Sequence, residues 1–401
     1  MTEKDKKVRQ TESGLFIRLD EEVGLFVYSP YSGLIFLVHP DDIHDTILWL
    51  EKRDGICPTE VVTKALGVGW KISPSDASFG ATHYLGDREK WDWFRFTTHS
   101  PILINWFVTG KCPLSCQYCD ATDLMRTRPE PTEKEVRRIA ASILSYNPLA
   151  VVLTGGEPLE SQYLEECIKL LYGQTGILVD TNGLYLDKRH IELFKKYNVV
   201  VRISLDSPIP EVNDRLRCVR RNGAKEVEMK TASSLQKALN ALCLCLDECA
   251  PVSVQTVATY QTIHDLSALG DRLYKLGVRF WRVHLVALPP DNDKNREFNK
   301  QHRLPDKPRK HIKNEVIRLK RRWNCMDLQL VEDDMSRNSV VIVATDGEYL
   351  TESNTGHGKI VIDPNNPKAP ALKRIFNIVS PDDHAYRYLG GSESQSGRTV
   401  K

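Results

Sequence analysis

The segment Lys111-Cys112-Pro113-Leu114-Ser115-Cys116-Gln117-Tyr118-Cys119 sets three cysteines in a CxxxCxxC spacing. Three thiolates from one short loop can each hold an iron of a cubane [4Fe-4S] cluster, and with no fourth cysteine close by one iron stays open. An open position is what separates a catalytic metal site from a structural one. The competing reading is a zinc knuckle or three incidental cysteines; zinc wants a fourth ligand at short spacing, and Asp120 is a poor candidate.

Further polar residues fall where apolar runs end. Thr154-Gly155-Gly156-Glu157-Pro158 has the form of a strand-to-helix turn in which glycine permits close backbone approach and Glu157 caps the following helix. Val201-Arg202-Ile203-Ser204-Leu205-Asp206-Ser207 and Asp180-Thr181-Asn182 end two other runs, and Gln255 and His284 lie in two more. Parallel barrels gather their ligands at such strand ends, although Ser and Asp there also serve as helix caps.

The elements that must position these residues are legible in the hydrophobic pattern. Strands are predicted at Ile102 to Val108, Ala150 to Leu153, Ile177 to Asp180, Val199 to Asp206, Val252 to Thr259 and Phe280 to Ala287. Between them run amphipathic helices, one opened by a Thr132/Glu135 capping box and others over 159–171, 186–197, 231–249 and 265–276. The fold class is α/β: a partial (β/α)6 TIM-like barrel over 98–290, placing the cysteine loop directly after its first strand. Residues 1–97 read as a small winged-helix-like α+β domain and linker, with strands near Leu15 to Leu19, Leu25 to Tyr28 and Leu34 to Val38 before helices from Ile43 and Thr59. Residues 291–401 read as a C-terminal extension with a basic helix, His311 to Trp323, and a hairpin turning at Asp346-Gly347.

Taken together, the loop, its position and Tyr118 before the third cysteine resemble the radical S-adenosylmethionine (SAM) superfamily. The resemblance implies one [4Fe-4S] cluster on Cys112, Cys116 and Cys119. SAM would bind the open iron through its amino and carboxylate groups and be cleaved to methionine and a 5′-deoxyadenosyl radical that abstracts hydrogen. It further implies that Gly155, Gly156, Glu157 and Pro158 receive the SAM amino group, and that Tyr118, Asn182, Ser204 and Asp206 lie near SAM or substrate. Gln255 and His284 would flank the adenine, although no glycine-rich adenine signature is present.

Less specifically, residues 15–66 resemble the PqqD-like peptide-binding domain of radical SAM peptide maturases, which takes up a leader peptide as an added strand. The substrate expected is a ribosomally made precursor peptide, with epimerisation, carbon–carbon bond formation or backbone excision as the outcome, and the electron source a reductase or a flavodoxin-type donor. The alternatives are a radical SAM enzyme acting on tRNA or a small metabolite, and a metal-binding interaction protein without turnover. No cysteine follows Cys325, which departs from relatives with a C-terminal SPASM domain. Cys218 and Cys325 are either buried small hydrophobes or hydrogen-atom donors to a substrate radical. A net charge of +2 with interspersed acids argues against nucleic acid as partner, although Arg215 to Arg221 and Lys307 to Arg322 are basic runs. A charged N-terminus and the lack of long apolar stretches predict a cytoplasmic protein without a membrane anchor.

Overall fold

The computed structural model describes residues 7–12, 14–20, 24–30, 35–38, 43–52, 101–119, 121, 125, 127–219, 233–286, 296–322, 326–331, 341–351 and 360–362. The expected helix from Thr59, the linker, Cys57 and Cys325 lie outside them.

The N-terminal unit is a four-stranded antiparallel sheet, β1 (Arg9–Gln10), β2 (Phe16–Asp20), β3 (Gly24–Tyr28) and β4 (Ile35–Val38), paired in chain order and followed by α1 (Ile43–Lys52). The barrel begins with β5 (Leu103–Thr109), and β6 (Leu114–Cys116) is a short strand within the cysteine loop. There follow α2 (Glu133–Ser145), β7 (Ala150–Gly155), α3 (Leu164–Leu171), β8 (Gly176–Thr181), α4 (Lys188–Lys196), β9 (Val199–Ser204), α5 (Pro210–Leu216), β10 (Arg217–Val219), α6 (Ser234–Asp247), β11 (Val252–Ala258), α7 (Leu266–Leu276) and β12 (Phe280–Leu285). Each predicted strand is found within two residues of its expected ends. The capping box at the start of α2 forms as read: the Glu135 N–H donates to the Thr132 hydroxyl and the Thr132 N–H to the Glu135 carboxylate at 2.7 Å.

After β12 come α8 (Arg296–His302), α9 (Asp306–Arg322), β13 (Asp327–Val331), β14 (Val341–Val343), β15 (Tyr349–Thr351) and β16 (Ile360–Ile362). The basic helix starts five residues before the expected His311 because Asp306 opens its first turn. The larger departure concerns the C-terminal strands, which were expected in an extension. β13 adds in parallel to β12, and β14 adds in parallel to β5 at the opposite edge, giving one sheet ordered β13-β12-β11-β9-β8-β7-β5-β14-β15-β16. The six expected parallel strands are thus flanked on both sides by strands from the C-terminal third.

Alternate residues of the strands serve two cores, as the two-residue period of a strand requires. Val151, Leu153, Ile177, Val179, Val201, Ile203 and Trp281 pack with the helices. Ala150, Val152, Leu178 and Val200 face the other way and are covered by Phe16, Phe26 and Tyr28 of the N-terminal sheet. Tyr28 lies so close to the start of β8 that a Cβ on Gly176 would meet its ring at 2.1 Å. Arg18, 2% exposed, donates to the carbonyls of Pro101 and Asn147 at 2.7 and 2.8 Å. The N-terminal unit therefore closes the floor of the barrel, sharing its core with it.

Candidate cluster and cofactor site

At the opposite, carboxyl ends of the strands, residues of the cysteine loop, β7, β8, β9 and β11 surround a cavity of about 230 Å³. Cys112, Cys116 and Cys119 line it, together with Gly155, Gly156, Glu157, Asn182, Ser204 and Gln255 from the sequence reading. Tyr118, Pro158, Asp206, His284 and Cys218 are not among the lining residues.

The loop is held by backbone contacts that explain the glycine pair. The Gly156 N–H donates to the Thr109 carbonyl at 2.9 Å and the Glu157 N–H to the Lys111 carbonyl at 2.7 Å. Gly155 has φ +125°, and a Cβ there would sit 2.3 Å from the Thr109 carbonyl oxygen; a Cβ on Gly156 would sit 2.0 Å from that of Lys111. The close approach that the two glycines permit is made to the cysteine loop. Gly156→Ala is expected to push the loop outward and to reduce iron retained after anaerobic reconstitution severalfold, measured as iron per chain. Gly173→Ala is the control, since a Cβ there meets nothing within 4 Å, although its φ of +75° adds local strain.

Glu130 fixes the loop from the outside, accepting from the Thr109 hydroxyl and the Gly110 N–H, both at 2.7 Å. Phe107, Met125, Ile342, Ala344 and Leu350 form an apolar wall against which Cys112 and Cys119 pack, so the hairpin of β14 and β15 buttresses the loop. Arg128 ties that hairpin down through ion pairs to Asp346 and Glu348.

Behind Cys116 stands a buried polar network. Tyr118 hydrogen-bonds to Asp206, and the Arg217 guanidinium donates to the Tyr118 hydroxyl at 2.5 Å and reaches Asp206 at 3.4 Å. The other Asp206 oxygen accepts from the Val257 N–H at 2.9 Å. Burial pushes the Tyr118 hydroxyl up, so it remains a proton donor. Arg217 lines the cavity and is 7% exposed; the sequence placed it in a basic surface run. Asp206, expected near SAM or substrate, is not itself in the cavity lining and is joined to it through Arg217. Burial raises the Cys112 and Cys116 thiols to about 12 and about 11, so a metal must displace their protons on binding.

Glu157 is fully buried and accepts from the Thr181 hydroxyl at 2.6 Å, the Asn182 N–H at 2.8 Å and the Leu159 N–H at 3.2 Å, the last being the cap expected of it. Burial nonetheless raises its carboxyl from the ordinary 4.5 to about 7. An acid raised on folding favours the native state when protonated, so its contribution is complete below pH 4.5 and is lost as pH rises to about 7. Glu157→Gln should flatten that part of the stability–pH profile of the metal-free protein in urea titrations between pH 4.5 and 8; an unchanged slope would show that Glu157 does not titrate there.

The donor set suits a cluster with an open iron. Cys112, Cys116 and Cys119 all line the one cavity. Asn182, 6% exposed, presents a buried amide Nδ2 without a protein partner in the same lining. Residues 106–246 match the family described as the Radical SAM superfamily. The chain contains a radical SAM domain. That family uses a [4Fe-4S] cluster and SAM.

The chain is 30% identical over 139 residues to the mitochondrial GTP 3′,8-cyclase of Arabidopsis thaliana, covering 33% of this chain and 35% of that one. It is 25% identical to the Fe-coproporphyrin III synthase of Methanosarcina barkeri, over 54% of this chain and 51% of that one. The chain thus spans about a third to three-fifths of the length of the curated relatives it matches. Streptococcus suis SuiB bound to its precursor peptide SuiA superposes with a TM-score of 0.58 at 13% identity, over 98% of this chain and 92% of SuiB.

Two other cysteines lie outside the cavity lining. Cys218 lies in β10 opposite Ser115, its thiol donating to the Arg215 carbonyl at 2.8 Å. Cys249, expected in a helix, follows the end of α6 at φ +53° and is exposed. No helix among the described residues is long and apolar enough to cross a membrane.

Proposed function

We propose that this radical SAM chain holds a [4Fe-4S] cluster on Cys112, Cys116 and Cys119 and SAM in the adjoining cavity, and takes hydrogen from a ribosomally made precursor peptide. The observation that carries the enzymatic reading is the meeting of three thiols, the Gly155-Gly156-Glu157 turn and the strand-end polar residues around one cavity. When bound, the two cofactors supply one-electron cleavage of SAM and a carbon radical. The chain's own residues hold and orient them: Glu157 and Asn182 offer an acceptor and a donor to the amino-acid end of SAM, Ser204 and Gln255 line the side toward the nucleoside, and the wall of Phe107, Met125 and Ile342 packs against Cys112 and Cys119.

Support for a peptide comes from the N-terminal unit, whose β4 is an edge strand among the described residues, one that an extended segment can extend by backbone pairing, and from the likeness to peptide-bound SuiB across nearly the whole chain. A second reading, a nucleotide substrate, is favoured by the GTP cyclase relatives, whose likeness is confined to part of the chain. The discriminating assay incubates reconstituted protein, SAM and dithionite with GTP or with a short peptide encoded beside the gene. The peptide should emerge with hydrogen lost or solvent deuterium gained while GTP is returned intact; converted GTP and unmodified peptide would overturn the peptide assignment.

A further inference from the structure

Among the described residues the cavity lining ends at Gln255 of β11, and the next strand of the sheet, β12, carries charges that the cofactor reading leaves unused. Arg282 lies directly beside Gln255 in the parallel register, and His284 lies beside Val257, one inward position nearer the carboxyl ends. The two-residue period of a strand puts both side chains on the face that Gln255 presents to the cavity, about 4.8 Å further along the sheet. Burial agrees with this placement. Trp281 and Val283, on the opposite face, are fully buried among the helices, whereas Arg282 and His284 are partly exposed.

Inward positions of a parallel barrel are ordinarily filled by branched apolar side chains, so guanidinium groups there need a reason. Arg202 has one: its Nε and Nη2 both donate to the Asp180 carboxylate, Nη2 at 2.7 Å, and Asp180 itself lines the cavity. Arg282 adds a second guanidinium to the same face. Both act on the floor below, where burial pushes the Tyr28 hydroxyl pKa up and Arg202 and then Arg282 pull it partly back.

We propose that Arg282, with His284 beside it, receives a carboxylate of the substrate and so holds the reacting residue against the cofactor cavity. The inference rests on the peptide reading above and narrows it to peptides with an acidic side chain or a free carboxyl end at the reacting position. The planar fork of a guanidinium matches the two oxygens of a carboxylate, which fixes orientation as well as charge. One guanidinium beside one imidazole suits a singly charged group. A nucleoside triphosphate, with several charges, would call for more cations than β12 offers.

The test titrates iron-loaded, SAM-bound protein by calorimetry with acetyl-Gly-Glu-Gly-amide, acetyl-Gly-Gln-Gly-amide and acetyl-Gly-Gln-Gly with a free carboxyl end. The wild type should bind a charged probe about tenfold more tightly than the neutral one, and which charged probe is preferred tells an acidic side chain from a chain terminus. Arg282→Gln should erase that preference while leaving binding of the neutral probe in place. Arg282→Lys keeps the charge, loses the fork and should keep part of the preference. Asp327→Asn removes the acid at the register position beside Phe280 in β13 and should leave the preference intact. Equal binding of all three probes by the wild type, or binding of none, would overturn the proposal. So would a preference that survives Arg282→Gln, or one that Asp327→Asn abolishes equally, since Arg282 would then serve β13 and not a ligand. Should Arg282→Gln melt below the assay temperature, Arg282→Lys carries the comparison, and a preference undiminished from wild type overturns the proposal. Converted GTP with no peptide modified would refute the peptide reading, and this inference with it; a modified peptide without charge preference refutes this inference alone.

Discussion

Replacing Cys112, Cys116 and Cys119 together by Ala is expected to leave a folded protein that retains almost no iron and forms no 5′-deoxyadenosine from SAM under dithionite. The wild type, reconstituted without oxygen, should hold about four irons per chain. The loss should be complete because the described cavity offers no substitute thiol: Cys218, the nearest other cysteine of the loop ribbon, turns its sulfur to the Arg215 carbonyl. The fold should survive because alanine keeps apolar contact with Phe107, Met125 and Ile342, where Cys112 and Cys119 already pack as small hydrophobes. Cys218→Ala is the matched control and should keep its iron. Undiminished iron and SAM cleavage in the triple variant would sink the assignment of the loop.

Much of this site was legible because its parts are local. CxxxCxxC and Gly-Gly-Glu-Pro are contiguous, and parallel strands buried on both faces read as unbroken apolar runs such as Val199-Val200-Val201. The network behind Cys116 was not legible, since Tyr118, Asp206 and Arg217 meet only through the fold and Arg217 carries the composition of a surface basic run. The one available signal was β-pairing: Arg217-Cys218-Val219 lies antiparallel to Leu114-Ser115-Cys116, which draws the arginine inward. The hairpin at Asp346-Gly347 was readable from its turn, with Gly347 at φ +86°, but its destination was not. β14 is three residues long, and nothing in Val341-Ile342-Val343 says that its partner is Ile104-Asn105-Trp106, more than two hundred residues earlier in the chain. The same holds for the N-terminal sheet, whose strands were visible while the barrel floor they cover was not.

That floor gives the second large expected effect. A modular reading of residues 1–66 as a peptide-binding attachment expects their loss to spare the barrel. The packing argues otherwise: Tyr28 is fully buried against Val152, Leu178 and Val200, its hydroxyl directed to the Ile177 carbonyl at 3.4 Å, and β8 begins with Gly176 because any larger residue would strike its ring. Truncating a buried aromatic costs about 3–5 kcal/mol, from lost burial and the cavity left behind. In a unit of this size that lowers the melting temperature by on the order of 10 °C. Tyr28→Ala should therefore melt the barrel early and release cluster iron on mild heating, read by circular dichroism at a barrel-wide wavelength and by iron absorbance in the same scan. Tyr28→Phe removes only a long hydrogen bond and should recover most of the loss. If Tyr28→Ala left both transitions in place and weakened only binding of a precursor peptide, the sheet would be an attachment after all, and the shared core would have to be reassigned to the contacts of Arg18 with Pro101 and Asn147.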